Sequence, residues 1–228
     1  MDERFSRTVA LIGQAAADKL KNSKVIVFGA GGVGGYVIEG LARSGVGLID
    51  VVDPDRIELS NFNRQILATE KNSGKNKADA AAERIAEINP DARCRAIKMF
   101  YLPENADEIN LADYDYVVDA VDTVAAKTEL AARCFSKGIK LISCMGTGNK
   151  LDPSAFRIAD IYDTKVCPLC KAMRKTLKDR GVGRLKVLYS EEKPVVSVRP
   201  PASISFCPAV AGMMIASCVV KELAFFDD

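Results

Sequence analysis

Residues 24–45 read KVIVFGAGGVGGYVIEGLARSG, a β-branched run, a glycine turn and then apolar residues at helical spacing. A strand that ends in G-x-G-x-x-G and opens at once into a helix leaves little choice of fold. The three glycines serve a tight turn, a close approach to the backbone and close helix–sheet packing. Gly29, Gly31 and Gly34 hold that spacing, with Gly32 among them. A second apolar run, LIDVV, ends in Asp53, 19 residues past Gly34. The segment therefore predicts a β-α-β unit whose second strand ends in an acid, where a carboxylate can accept hydrogen bonds from ribose hydroxyls. A nucleotide is the expected ligand.

The alternation continues along the chain. GKNKADAAAERIAEINP reads as a helix closed by Asn89-Pro90, RCRAIKM and YDYVVDAVD as strands, TVAAKTELAARCFSKG as a helix ending in glycine and KLISCM as a strand. Strands and helices taking turns from Lys24 to Met145 predict an α/β fold with a doubly wound, mostly parallel, Rossmann-like sheet. Beyond Met145 come FRIADI, a helix over about Pro168 to Lys178, RLKVLYS, and PVVSV before the Pro200-Pro201 pair. This change of rhythm predicts an appended antiparallel half. With no evident linker, the expected organisation is one domain over 1–228, with an N-terminal helix at 1–23, a nucleotide-binding half at 24–146 and a substrate and dimer half at 147–228. The stretch from Phe206 to Val220 is shorter than the roughly 20 residues that cross a bilayer. It is expected as a buried helix suited to a subunit interface, with no membrane partner.

Composition narrows the chemistry. Hydrophobic residues make up 48% of the chain and charged residues 27%, which are globular values. The N-terminus, MDERFSRTVALIG, lacks the apolar run of an export signal, so a soluble cytoplasmic protein is expected. The chain has no His. That excludes imidazole general bases, Ser-His-Asp hydrolysis and His-ligated zinc catalysis. Seven cysteines at scattered spacing do not make a disulfide framework.

The residues just past Asp53 separate a nicotinamide dinucleotide from ATP. A triphosphate whose α-phosphorus is attacked needs cations around its oxygens and an acid to hold magnesium, whereas an NAD domain needs neither. The stretch DPDRIELSNFNRQ supplies Asp55, Asn61, Arg64 and Gln65; Lys77 opens a helix after SGKN; Asp119 and Asp122 stand in DAVD. A planar guanidinium such as that of Arg64 suits bidentate phosphate contact. Taken singly, Arg64 and Lys77 read as solvated surface charges and Asp122 as a helix cap. Taken together they read as a site for ATP with Mg2+.

These residues together resemble the ThiF-, MoeB- and HesA-like adenylating family, which includes ubiquitin-activating enzymes. The resemblance spans nearly the whole chain. Its specific part is GxGGVG, then DxDxxxxSNxxRQ at Asp53 to Gln65, GxxK at Gly74 to Lys77 and DAxD at Asp119 to Asp122. It implies a homodimeric, adenylate-forming enzyme in which Asp53 holds the ribose and Asn61, Arg64 and Lys77 contact the phosphates. Asp122 sits at magnesium-ATP, and Gly29, Gly31, Gly32, Gly34, Asp55 and Gln65 complete the nucleotide site. Arg64, Lys77 and Asp122 are the implied catalytic groups, joined by Arg7 in RFSR, which matches an Arg that reaches into the partner subunit's site.

Two branches of that family differ in the carboxylate they activate. Sulfur-carrier adenylyltransferases hold structural zinc between two CxxC pairs, whereas here Cys167 and Cys170 form one pair and Cys207 stands alone. Zinc is not expected. The second half instead resembles the branch acting on tRNA, the threonylcarbamoyladenosine dehydratases, through LISCMGTGNKLDPSAFRIADI, RKTLKDRGV, KVLYSEEKPVV and PPASISFCPAVAGM. That implies adenylation of a threonylcarbamoyl carboxylate on adenosine, displacement of AMP by an internal nucleophile and net loss of water. The alternative is activation of the C-terminal glycine of a ubiquitin-like carrier, with a sulfur-relay partner. An NAD-linked oxidoreductase and a silent nucleotide-binding scaffold are the other classes open to the chain.

Charge supports the tRNA branch independently. Between Lys165 and Lys186 stand eight cations and one acid, on a chain of net charge +2, so the remainder is acidic. Lys171, Arg174, Lys175 and Lys178 fall on one helical face and are the expected tRNA contacts, although a solvated face or an acidic protein partner would show the same pattern. Cys207 stands at a helix start, where a thiol pKa can fall, but burial in the core is the better reading. Cys94, Cys134, Cys144 and Cys218 read as core residues.

Overall fold

The computed structural model describes residues 3–198 and 200–225. A seven-stranded sheet is built from β1 (Lys24–Phe28), β2 (Leu48–Val52), β3 (Ala96–Ile97), β4 (Tyr116–Asp119), β5 (Leu141–Cys144), β6 (Phe156–Asp160) and β7 (Lys186–Ser190). Their order is β3-β2-β1-β4-β5-β7-β6, and every pairing is parallel except β6 with β7. The order reverses between β1 and β4. In an open α/β sheet the ligand crevice lies outside the carboxyl ends of the strands at that switch point.

Alternation along β1 divides the core. Val25 and Val27 face a cluster covered by α3 (Gly34–Arg43), α4 (Lys77–Ile88) and α7 (Phe206–Ala224). Ile26 and Phe28 face the opposite cluster, covered by α5 (Val124–Lys137) and α6 (Pro168–Asp179). Helix ends follow from local chemistry: the Asn76 side chain accepts from the Ala78 amide at the start of α4, and Gly138 at φ 68° closes α5.

The doubly wound fold is as expected, and its antiparallel part is a single edge. β7 pairs in parallel with β5, so the second half extends the same sheet and only β6 runs against it. PVVSV forms no strand. Pro194, Pro200 and Pro201 deprive that stretch of amide donors. Asn149 clasps it instead: the Asn149 amide donates to the Ala202 carbonyl at 2.7 Å, the Ala202 amide donates to the Asn149 side chain at 2.8 Å, and the Val195 amide donates to the Asn149 carbonyl at 2.9 Å.

Three boundaries differ from the sequence reading. The N-terminal helix is two, α1 (Ser6–Ile12) and α2 (Gln14–Asn22), because Gly13 takes φ 84° between them; Met1 and Asp2 of the expected helix lie outside the described residues. RCRAIKM forms a strand over Ala96–Ile97 only, with a single parallel bridge from Arg93 to Leu48 before it. The helix expected as buried from Phe206 runs on to Ala224 and is buried on one face. Ala211, Ile215 and Val219 pack inward, while Met213 remains 47% exposed.

Candidate active site

The glycine turn after β1 closes on contacts that no side chain could share. Gly29 takes φ 91°, and a Cβ there would lie 2.7 Å from the Ala120 carbonyl oxygen; one at Gly34 would lie 1.8 Å from the carbonyl oxygen of Gly29. These two glycines answer to the protein's own packing. Gly31 does not: the nearest atom to a Cβ there is Gln65 Nε2 at 3.9 Å. Open space above Gly31, in a turn otherwise filled to contact, fits a ligand that approaches the backbone.

Asp53 follows β2 and is turned back on that turn. The Ala30 amide donates to Asp53 Oδ2 at 2.7 Å and the Asp55 amide to Oδ1 at 2.9 Å. Burial pushes the carboxyl above its ordinary value, against the pull of these amides and of Lys77. A fixed, nearly dry carboxylate beside the glycine turn is placed to accept from ribose hydroxyls.

Lys77 is no surface charge. It is buried, and its Nζ lies 2.9 Å from Asp55 Oδ2. Asp55 therefore orients a cation, a use the sequence reading did not assign to it. Arg64 is half-buried and lies along the turn, its Cγ 3.6 Å from where a Gly32 Cβ would stand. One guanidinium nitrogen donates to the Ser60 carbonyl and the Asn63 side chain, both at 2.8 Å. Asn61 is buried and accepts from the Glu58 amide at 3.1 Å, which holds the short helical turn Leu59–Asn61 just before Arg64. Gln65 is buried too, with an Oε1 that has no partner among the described residues. All six line one cleft of about 800 Å³ with Gly29, Gly31 and Gly32. Gly34 lies beneath it.

Across the cleft, β4 ends at Asp119 and the loop behind it carries Asp122. Asp122 does not cap α5: Thr123 is the cap residue and no side chain accepts a capping hydrogen bond. The carboxylate stands exposed on the cleft rim, where it accepts from the Thr123 hydroxyl at 3.4 Å. Asp119 is fully buried and serves another partner, Lys127, whose Nζ lies 3.1 Å from both of its oxygens and donates to the Cys144 carbonyl at 2.6 Å. The Ser143 hydroxyl also donates to Asp119. This network ties the ends of β4 and β5 under the cleft, which Lys127 itself lines.

Lys127 and Ser143 were missed from sequence. The signal was available: Lys127 shares helical spacing with Leu130, Ala131 and Cys134, so it interrupts the apolar stripe of α5. A lysine in that phase needs a buried acid, and Asp119 closes an otherwise apolar strand.

The other predicted residues lie elsewhere. Arg7 is exposed on α1 and does not line its own chain's cleft. On α6, Lys171, Lys175 and Lys178 are exposed, with Lys178 Nζ 5.7 Å above the Tyr162 ring. Arg174 departs from the expected stripe, because its guanidinium donates inward to Thr164 Oγ1 at 2.6 Å and to the carbonyls of Thr164 and Ile161. Cys207 is buried, and burial pushes its thiol up. Among the described residues no three Cys, Asp or Glu side chains gather to hold a metal ion. One carboxylate with substrate phosphates is nonetheless a common magnesium site, and Asp122 fits it.

Comparison with known proteins places this geometry. The ThiF family matches residues 5–227. The tRNA threonylcarbamoyladenosine dehydratase of Bacillus subtilis is 40% identical, covering 98% of this chain and 95% of its own. The crystal structure of Escherichia coli tRNA N6-threonylcarbamoyladenosine dehydratase, TcdA, in complex with AMP superposes with a TM-score of 0.92 at 33% identity, covering 97% of this chain and 94% of that one. The same protein in complex with ATP gives 0.90. The sulfur carrier protein adenylyltransferase of Thermus thermophilus is 42% identical over a shorter match, 53% of this chain and 45% of its own.

Proposed function

The chain belongs to the ThiF family, and from that premise we propose that it is an ATP-dependent tRNA threonylcarbamoyladenosine dehydratase. The carboxylate of the threonylcarbamoyl group attacks the α-phosphorus of ATP, pyrophosphate leaves and an acyl-adenylate forms. A nucleophile within the same modified nucleoside then displaces AMP and closes a ring, so one water is lost at the expense of ATP.

The observation that carries this reading is the gathering of Arg64, Lys77 and Asp122 in one cleft with the Gly31 turn and Asp53. A hydride-transferring site would have no use for two cations and a free carboxylate there. Asp53 orients the ribose, the turn offers amides to phosphate, and Arg64 and Lys77 neutralise charge that grows on the oxygens during transfer. Asn61 and Gln65 frame the same wall. Asp122 would hold Mg2+, which supplies further neutralisation when bound with the phosphates. The exposed apolar face of α7 fits a homodimer, in which Arg7 would serve the partner subunit's cleft. The exposed lysines of α6 fit a tRNA backbone.

The test is mass analysis of nucleosides after incubation with ATP, magnesium and threonylcarbamoylated tRNA. Loss of one water from the modified adenosine, dependent on ATP, is the expected result. An unchanged nucleoside alongside ATP-dependent adenylation of a carrier protein's C-terminal glycine would move the assignment to the sulfur-carrier branch.

A further inference from the structure

The cysteines of VCPLC take no part in the reaction above, yet they are set as a reactive pair. Cys167 is the N-cap of α6 and Cys170 follows one turn on, fully buried. The Cys167 sulfur accepts from the Cys170 thiol and from the amides of Cys170, Leu169 and Gly146, and these donors hold it well below the usual thiol range in spite of burial. Cys170 is pushed the other way, first by donating to Cys167 and then by burial, while Thr164 and Arg174 favour its thiolate. The backbone just before the pair is strained: Val166, β-branched, takes φ 61°, and the Cys167 amide donates to the Lys165 carbonyl at 2.5 Å.

We propose that Cys167 and Cys170 are a dithiol site that exchanges with small-molecule disulfides and closes reversibly into a disulfide at the cleft wall. The Cys167 thiolate attacks one sulfur of R–S–S–R, that bond breaks, and the first thiolate leaves. Cys170 then loses its proton to solvent and attacks the Cys167 sulfur, expelling the second thiolate. The protein is oxidised by two electrons and the small disulfide is reduced to two thiols. The order of attack follows from the surroundings. Cys167 stands at the helix N-cap, whereas Cys170 lies one turn on and fully buried, so Cys167 meets the small disulfide first.

The site is joined to the nucleotide cleft. Gly146 and Leu169 line the cleft and also lend their amides to the Cys167 sulfur. Closing the disulfide turns the sulfur those amides meet into half of a covalent bridge to Cys170, so the cleft wall differs between the two redox states.

The experiment equilibrates the full chain with mixtures of reduced and oxidised glutathione, quenches with acid, alkylates and maps the peptides by mass. The expected result is joint loss of the Cys167 and Cys170 labels, regained with dithiothreitol, and a stable glutathione adduct on Cys167 in Cys170→Ser. Free thiols at both positions in oxidised glutathione would overturn the proposal. So would a wild-type protein that stops at the adduct, or a disulfide from Cys167 to any cysteine other than Cys170. These wild-type readings stand even where the variant fails to fold. ATP affinity measured on both forms is expected to differ by about fivefold or more, and equal affinities would sever the link to the cleft.

Discussion

Lys77 meets Asp55 twice, through its Nζ at 2.9 Å from Asp55 Oδ2 and through its backbone amide, which donates to the Asp55 carbonyl at 2.9 Å. The first residue of α4 is thereby locked to the loop that follows β2, and a buried ammonium is aimed into the cleft before any phosphate arrives. Preorganised charge of this kind commonly contributes about 10²- to 10³-fold to a rate. Lys77→Ala is expected to lower AMP formation by about that factor at saturating modified tRNA. Asp55→Asn, which keeps the ammonium but loosens it, should cost about tenfold, mainly in KM for ATP. Equal losses in both variants would show that the pair is structural and that Lys77 does not reach substrate.

The glycine turn offers a sharper separation. A Cβ at Gly34 would overlap the Gly29 carbonyl, whereas one at Gly31 meets nothing closer than 3.9 Å. Gly34→Ala is expected to yield little folded protein. Gly31→Ala should unfold at the wild-type temperature within about 2 °C, since it strains nothing, yet lose ATP affinity by about tenfold or more because the methyl stands where phosphate would approach. Calorimetry and ATP titration on the same sample decide it. Wild-type ATP affinity in Gly31→Ala would mean that the phosphates lie elsewhere.

Asp53 predicts a pH dependence of unusual sign. Burial lifts its carboxyl above the ordinary value of 3.8. Its folded form thus binds a proton more readily than the unfolded chain, so it costs stability as pH rises through that window, the opposite of an ion-paired carboxylate. Acceptance from ribose hydroxyls needs the ionised form. ATP affinity is therefore expected to weaken on acidification with a midpoint above 3.8, measured by titration at a series of pH values down to about pH 4. A flat profile over that range would remove Asp53 from ribose binding.

Much of this site was legible because its residues carry chemistry in short motifs. Gly29, Asp53 and Asp122 could be placed by the strand ends they follow, which parallel strands bring to one edge, and Arg64 and Lys77 by the short motifs downstream of Asp53. What stayed hidden depends on long-range packing. Asp55 was expected at the nucleotide and lines the cleft, but its hold on Lys77 becomes visible only where α4 packs against the loop after β2. Arg174 sits at the right spacing for a basic stripe, but periodicity states which face a residue occupies and not which carbonyls its head will find. The antiparallel part was expected beyond Met145, but that it amounts to the β6–β7 edge could not be read there, because a strand's partner is not written in its own sequence.

The pairing of Lys127 with Asp119 sets up a stability prediction. Both side chains are at most 1% exposed, so removing one charge strands the other. Lys127→Met is expected to destabilise the fold by about 3–5 kcal/mol, which lowers Tm by roughly 10 °C in a chain of this size. Adding Asp119→Asn should recover most of that loss while keeping an acceptor for the Ser143 hydroxyl and the Val121 amide, the latter at 3.2 Å in the native chain. Urea denaturation of the single and double variants gives the coupling directly. Additive losses would mean that the two charges are stabilised independently.

The tRNA contacts proposed for the lysines of α6 can be tested apart from stability. Lys171, Lys175 and Lys178 project into solvent, whereas Arg174 spends its guanidinium on Thr164 and Ile161. Replacing the three lysines with alanine is expected to raise KM for tRNA at least about tenfold and to flatten its salt dependence by about one logarithmic slope unit for each phosphate left without a cation, with ATP affinity unchanged. Arg174→Ala should do the reverse: a stability loss of about 1–3 kcal/mol from stranded acceptors, with the salt slope intact. The contrast discriminates because both variants remove positive charge from the same helix. If Arg174→Ala flattened the salt slope as the lysines do, net charge alone would attract the RNA and the exposed face of α6 would lose its claim to be the contact surface.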